Sequence, residues 1–193
     1  MEIIKACHKE YEITQIISDD CFVGRRKGKN FFIRKYEPYS DDGQLFSYEI
    51  KKLSNTGIKM PKLYGVDKKH GYIISEYIEG ETLMDVLSRE DLKEEVLEQL
   101  FKNAYLAKVN KMTLNYEPDK WKIKDGVIFY TYPLFIKYDE KKDLALKYLS
   151  LYFNTVQLQS FLKNKGVFYD KSRLKSTNET NREMVLMTCK YYK

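Results

Sequence analysis

The residue types that most often carry catalysis or bind metals are few and scattered in this chain. The two histidines, His8 and His70, are far apart in sequence and each is followed or preceded by lysines, which disfavours a histidine metal site or a catalytic triad. Cys7, Cys21 and Cys189 form no CxxC pair, so the sequence suggests neither a disulfide framework nor a cysteine zinc site. We expect three reduced, mostly buried thiols.

Charged side chains form two denser groups. Asp139, Glu140 and Asp143 could bind a cation, but acidic residues at the start of a helix are explained by the helix dipole. The run GRRKGK at residues 24–29 lies between two β-prone segments, which indicates an exposed hairpin turn, with contact to RNA or phosphate as the alternative. Neither group predicts a function by itself.

Composition narrows the class of protein. The chain has 193 residues, 43% of them apolar and 15% aromatic, enough for one sizeable core or two small lobes. The net charge of +6 comes from lysines interleaved with acids, which favours weak attraction to polyanions over a dedicated nucleic-acid groove. No apolar run approaches the roughly 20 residues that a membrane span requires, and residues 1–10 carry charges where a signal peptide would be apolar. We therefore expect a cytoplasmic protein that does not enter a membrane.

The pattern of apolar residues changes about two fifths of the way along the chain. Short β-prone runs separated by turn signals fill residues 11–77, and one helix, at about residues 43–54, interrupts them. After Gly80 the pattern becomes helical. The sequence predicts an α+β protein with a β-rich domain over residues 1–79 and a mainly helical domain over residues 80–193.

Three helices and a hairpin are predicted in the second half. A capping-box pattern at residues 88–91 predicts the start of a long helix that ends near Asn110. The Asp125-Gly126 pair predicts a β-hairpin at about residues 121–131, in which Trp121 is structural. A second helix is predicted over residues 141–163, and a polar stretch then precedes a short last helix.

The order of these elements and the stretch GIKMPKLYGVDKKHGYIISEYIEGETLMDVL, residues 57–87, resemble a protein kinase. Over about residues 11–163 the chain is most similar to the minimal atypical members of the protein-kinase-like superfamily: the RIO kinases, the kinase subunit of the KEOPS tRNA-modification complex and, more distantly, the aminoglycoside phosphotransferases. The resemblance implies a two-lobed fold, with a β-rich N-lobe and one main helix, a hinge at about residues 76–80, and a reduced helical C-lobe.

The resemblance also implies where a nucleotide would bind. Arg34 or Lys35 takes the place of the strand lysine that holds the phosphates, and Glu49 takes the place of its partner on the first helix. Solvated charges are the alternative interpretation of each. Glu76 and Tyr77 are the candidates in the hinge. The glycine-rich loop is replaced by Ser-Asp-Asp-Cys at residues 18–21, where two carboxylates would repel a triphosphate.

The catalytic motifs of the resembled families are degenerate in this chain. Asn115 stands at the catalytic aspartate, Lys120 at the metal-binding asparagine, and Tyr132-Pro133-Leu134 at Asp-Phe-Gly. Asn115 cannot accept a proton as a carboxylate does, and neither Lys120 nor Tyr132 offers the anionic oxygen that magnesium prefers. Lys120 could stand in for magnesium and permit metal-independent nucleotide binding, or it could simply face water.

Three functions follow from the resemblance and the charge. The first is a pseudokinase that binds or regulates a protein partner, and it predicts binding of ATP or another nucleotide that is weak or absent and insensitive to magnesium. The second is an active atypical kinase or small-molecule phosphotransferase that uses ATP and recruits other acids, such as Asp119 or Asp139. The third is a basic accessory protein of an RNA-associated complex, whose binding would weaken steeply with salt.

Overall fold

A computed structural model describes residues 2–132 and 134–192, apart from the side chains of residues 42–44. Pro133, the middle residue of the Tyr132-Pro133-Leu134 motif, therefore lies outside the described residues. The protein has mixed α+β secondary structure. It divides into two compact units: one contains the residues up to 55 together with residues 60–79, and the other contains residues 56–59 and the chain from residue 80 onward.

The first unit is a curled antiparallel sheet of six strands with one helix. Its strand order is β1-β2-β3-β4-β6-β5, and its elements are β1 (Ile3–Ala6), β2 (Lys9–Ser18), β3 (Cys21–Arg26), β4 (Lys29–Lys35), α1 (Asp42–Ser54), β5 (Leu63–Asp67) and β6 (Tyr72–Glu76). Alternation along the strands sends one set of side chains inward. One resulting core cluster contains Ile4, Ala6, Tyr11, Ile33 and Ile74.

The two edge strands of this sheet meet at one point. The backbone N–H of Cys7, just after β1, donates a hydrogen bond to Asp67 Oδ2 at the end of β5, over 2.6 Å. A Cβ atom on Gly65 would lie 2.8 Å from the Cys7 sulfur, so only glycine permits this approach. His70 also binds Asp67, through its backbone N–H at 3.0 Å and its ring Nδ1 at 3.0 Å from Oδ2. The Asp67 carboxylate thus joins the end of β5 to the residue that follows β1.

Apart from short 3₁₀ and π segments, the described residues of the second unit form four α-helices and five short strands. They are β7 (Glu81–Thr82), α2 (Leu83–Arg89), α3 (Glu94–Val109), β8 (Met112–Leu114), β9 (Trp121–Lys124), β10 (Val127–Tyr130), β11 (Phe135–Lys137), α4 (Val156–Asn164) and α5 (Thr177–Tyr191). Strands β10, β9 and β7 form one small sheet, and β11 pairs with β8. The β9–β10 hairpin turns at Asp125-Gly126, and Trp121 is fully buried.

The predicted long helix is α3, Glu94–Val109, which ends next to Asn110 as expected, but the predicted capping box at its start does not form. Its buried residues include Val96, Leu100, Ala104 and Ala107. Thr82 and Asp85 form the capping box of α2, while the chain is extended at Glu90 before α3 begins. Asp91 is not available to cap a helix because its carboxylate accepts hydrogen bonds from Asn154 at 2.6 Å and Arg173 at 3.0 Å. The helix was therefore predicted correctly, whereas its start signal at residues 88–91 was wrong: α3 begins at Glu94 without a side-chain cap.

The helix predicted over residues 141–163 is α-helical only in its last part, α4. The chain instead forms a 3₁₀ turn (Glu140–Lys142), a π turn (Leu144–Tyr148) and a second 3₁₀ turn (Leu149–Tyr152) before α4. Buried Asp143 accepts a hydrogen bond from the Ala145 amide, and Thr155 caps α4. Each of these two side chains caps the start of a new helical segment, so the apolar pattern is divided into separate segments.

The cysteines are free, as expected, but they are more exposed than predicted. Cys7 and Cys21 are half-buried and Cys189 is exposed. The apolar patterns around them fix which face a side chain lies on without fixing how deeply it is covered.

Candidate functional site

The two candidate phosphate-binding cations on β4 lie in different environments. Arg34 is on the face of the sheet that meets α1, because its guanidinium carbon is 5.8 Å from the centre of the Phe46 ring. Its Nε is also 3.8 Å from Asp20 Oδ2. Lys35, the next residue, points to the opposite side and is exposed. Strand alternation therefore separates the two candidates, and Arg34 is the one beside the helix.

Glu49, the expected partner of that cation, lies on α1 without an ion pair. Within the described part of the chain, no salt bridge joins Glu49 to Arg34 or Lys35. Its Oε2 atom is shielded from solvent and has no hydrogen-bond partner. Burial raises the pKa of the Glu49 carboxyl. The structure does not bring these three candidates together as an ion pair.

The turn that replaces the glycine-rich loop is acidic and internally bonded. It joins β2 to β3 at Asp19 and Asp20, and the Ser18 hydroxyl donates to Asp20 Oδ1 over 2.7 Å. This hydrogen bond is the main cause that lowers the pKa of Asp20, so the carboxylate is charged at neutral pH. An anion approaching this turn would meet negative charge.

The two hinge candidates, Glu76 and Tyr77, are half-buried at the end of β6. Glu76 is bound to Lys62 twice: its backbone N–H donates to the Lys62 carbonyl at 2.8 Å, and its carboxylate accepts from the Lys62 N–H at 3.2 Å. The Glu76 amide is therefore already occupied within the first unit.

Asn115, in the second unit, holds a loop together. Its Oδ1 accepts a hydrogen bond from the Glu117 amide at 2.9 Å, and its carbonyl accepts from the Trp121 indole at 3.1 Å. Its own backbone N–H donates to the Tyr130 hydroxyl, which in turn donates to the Leu134 carbonyl at 2.8 Å. Every one of these bonds is a structural contact within residues 115–134.

Lys120 lies in a compact charge cluster around Asp119. Asp119 Oδ2 is 2.8 Å from the ammonium groups of both Lys120 and Lys165. Burial opposes ionisation of Asp119, but these two cations outweigh it and hold the pKa of the carboxyl below its usual range. The Lys120 ammonium also lies 5.3 Å from the centre of the Tyr132 ring. Lys120 thus contacts a carboxylate and an aromatic ring. The alternative in which Lys120 simply faces water does not describe it.

The cluster includes one residue that the sequence did not indicate. Lys165 follows α4, 46 residues after Asp119, and no local pattern links the two. Asp119 Oδ1 is shielded and has no hydrogen-bond partner. Asp139, the other candidate acid, caps a 3₁₀ turn through the Lys141 amide, and its backbone N–H donates to the Thr113 hydroxyl.

In the part of the chain that the structure describes, no three histidine, cysteine, aspartate or glutamate side chains converge as a metal site would require. Among the same residues, every helix is too short or too polar to cross a bilayer. No model of a known protein family matches the chain, and no curated protein matches it significantly.

Proposed function

We propose that this protein is a degenerate, two-lobed protein-kinase-like protein that acts as a binding or regulatory module rather than as a phosphotransferase. The proposal is carried by the contacts of Asn115 and Lys120, both of which bind other residues of the second unit. Asn115 occupies the position of the catalytic aspartate in the resemblance, and its side-chain oxygen is bound to the Glu117 amide. Lys120 occupies the metal-binding position in the resemblance, and its ammonium group forms an ion pair with Asp119.

The charge at these positions argues against a metal-dependent reaction. Magnesium binds hard anionic oxygens, and an ammonium group repels it. Losing one stabiliser of a developing oxyanion costs about 10²- to 10³-fold in rate, and here the base and both metal ligands are replaced. Little phosphoryl transfer would survive such losses.

The element order supports the resemblance on which this function depends. The first unit combines an antiparallel sheet with one helix inserted between β4 and β5, and the second unit is mainly helical with a hairpin. We take these features as support for a kinase-like ancestry in which the working surface binds a protein partner.

A thermal unfolding titration with ATP, with and without magnesium, tests the proposal. A ligand present at about 100 times its Kd stabilises the native state by about 2.7 kcal/mol. For a chain of this size that corresponds to a rise in Tm of about 5 to 11 °C. We expect either no rise or a rise that does not depend on magnesium.

Lys120 is the residue to change if a magnesium-independent rise is seen. We expect Lys120→Ala to abolish that rise, because the ammonium would be replacing the metal ion. Lys102→Ala, at an exposed position of α3, is the matched control and should keep the full rise. An unchanged affinity of Lys120→Ala for ATP would show that Lys120 does not replace the metal ion. Magnesium-dependent ATP turnover by the wild-type protein would refute the pseudokinase proposal.

One observation favours an active phosphotransferase as the second candidate. Asp119 is ionised, and its Oδ1 atom has no partner. If Asp119 served as a recruited acid, the wild-type protein would hydrolyse or transfer phosphate from ATP with magnesium, and Asp119→Asn would abolish that turnover. Asp19→Asn, at an exposed turn, is the control that should keep it.

A further inference from the structure

Half of strand β2 has no paired strand on its outer side among the residues that the structure describes. The strand runs from Lys9 to Ser18, but β1 pairs only with its first four residues, Lys9–Glu12, and the backbone N–H of Ile13 adds one bond to the Glu2 carbonyl. The other side of β2 is covered by β3. Among the described residues, no strand pairs with the outer edge of residues 14–18. Such an edge exposes backbone donors and acceptors that can pair with another chain.

The side chains of this open edge suit a pairing partner. Ile16 is 64% exposed and Ile17 is 50% exposed, so apolar surface is presented to solvent here. Residues 13–18, ITQIIS, contain no lysine, arginine or proline, which are the residues that commonly protect an edge strand from association. Irregular pairing with β3 between Ile13 and Gln15 and between Ile16 and Ser18 gives the segment additional twist. The segment has high β-propensity, and its protection is limited to this twist, since no lysine, arginine or proline guards it.

Negative charge lies at both ends of the open edge. Glu12 precedes it, and Asp19 and Asp20 follow it. Arg34 lies 3.8 Å from Asp20 and Arg25 is the cross-strand neighbour of Glu12, so each offsets part of that charge, whereas Asp19 is exposed. A second copy paired antiparallel on this edge would bring the aspartates of one chain close to Glu12 of the other. That repulsion disfavours self-association and favours a partner with positive charge at its two ends.

We propose that residues 14–18 of β2 dock an extended segment of a protein partner by strand addition. The segment would add a seventh strand to the sheet, place apolar side chains against Ile16 and Ile17, and carry lysine or arginine at both ends. Backbone hydrogen bonds supply affinity in this mode of binding, and the side chains supply specificity. The docking edge does not depend on the kinase resemblance, because it requires only the sheet and its charges.

The test uses the full chain and a synthetic peptide, acetyl-KKTVTVTKK-amide, with the same peptide carrying glutamates in place of lysines for comparison. We expect the basic peptide to bind and to slow amide hydrogen exchange in residues 14–18, and the acidic peptide to bind at least about tenfold more weakly. Methylating alternate peptide nitrogens on the pairing side should abolish binding, since it removes the donors that strand addition needs.

Variants locate the binding on the protein. Ile16→Lys places a protecting charge on the edge and should weaken binding of the basic peptide by at least about tenfold. Ile136→Lys is the matched control, because Ile136 is an isoleucine of β11 that is 46% exposed and lies in the second unit. The control should leave both the affinity and the exchange protection unchanged.

Several results would overturn the proposal. Absence of binding at millimolar peptide, equal binding to Ile16→Lys, or protection of amides elsewhere in place of residues 14–18 would each refute it. A dimer of the wild-type protein in light scattering that Ile16→Lys converts to a monomer would show that a second copy occupies the edge. None of these results bears on the ATP titration, so failure of the docking edge is distinguishable from failure of the proposed function.

Discussion

Replacing Asp67 by asparagine is expected to loosen the first unit where its two edge strands meet. The Asp67 carboxylate accepts hydrogen bonds from the backbone amides of Cys7 at 2.6 Å and His70 at 3.0 Å, and the His70 ring nitrogen lies beside it. An asparagine has nearly the same shape, but it keeps only one accepting oxygen and carries no charge. Both amides would lose a charged partner, and one of them would face an NH2 group in place of an accepting oxygen.

The size of the effect follows from the burial of Asp67. Its side chain is only 10% exposed, so solvent screens these contacts little. A hydrogen bond to a charged group contributes about 1.5 to 3 kcal/mol. We expect Asp67→Asn to cost about 2 kcal/mol, which corresponds to roughly a thirtyfold increase in the opening equilibrium of the clamp.

Hydrogen exchange at the Cys7 amide is the assay, because this amide is one of the groups that Asp67 holds. Trp121 fluorescence would report on the second unit instead. We expect the Cys7 amide to exchange roughly thirtyfold faster in Asp67→Asn at neutral pH. Asp19→Asn, an exposed aspartate in the β2–β3 turn, makes the same chemical change and should leave this exchange rate unaltered.

The pH dependence gives a second check. Burial opposes ionisation of Asp67, but hydrogen bonds from His70 and from the Cys7 amide outweigh it and lower the pKa of the carboxyl. A lowered pKa in the folded state means that the contribution is complete above the unfolded pKa and is lost as the pH falls through the folded pKa. The wild type and Asp67→Asn should therefore have converging free energies of unfolding in acid. Urea denaturation monitored by circular dichroism measures these free energies. An unchanged Cys7 exchange rate, or a difference that persists in acid, would refute the clamp.

Two further predictions concern packing and the loop of the second unit. Gly65→Ala places a Cβ 2.8 Å from the Cys7 sulfur and should destabilise the first unit by about 1 to 3 kcal/mol in thermal unfolding. Adding Cys7→Ala should restore most of the lost stability, because it removes the sulfur. No recovery in the double variant would contradict the steric cause. Tyr130→Phe removes the hydroxyl between the Asn115 amide and the Leu134 carbonyl and should cost about 1 to 3 kcal/mol, followed by the fluorescence of Trp121, whose ring centre is 4.8 Å from that of Tyr130. A Tyr130→Phe protein as stable as the wild type would mean that water replaces the hydroxyl.

Local patterns were sufficient for several elements of this fold. Alternating β-branched and aromatic residues predict strands of the first unit, and the Asp125-Gly126 pair predicts the β9–β10 hairpin. The helix predicted at about residues 43–54 is α1, Asp42–Ser54. These elements are determined by residues that are neighbours in the chain, through side-chain alternation, helical periodicity and the backbone freedom of a turn.

Residue types also described the chemistry of the candidate site, but not its contacts. That Asn115 and Lys120 cannot act as a base or a metal ligand follows from their side chains alone. The choice between Arg34 and Lys35 required the position of α1, and the charge cluster required Lys165, which reaches Asp119 from 46 residues away.

The starts of the helical segments depended on tertiary contacts in the same way. The capping box predicted at residues 88–91 does not form, and Asp91 instead binds Asn154 and Arg173. The apolar pattern that continues through residues 141–163 is interrupted where Asp143 and Thr155 cap new turns. A local pattern records only which residues can form a helix or strand. Where a polar side chain has two alternative partners, the fold decides between them, because the partner that wins is brought near only by the packing of distant segments.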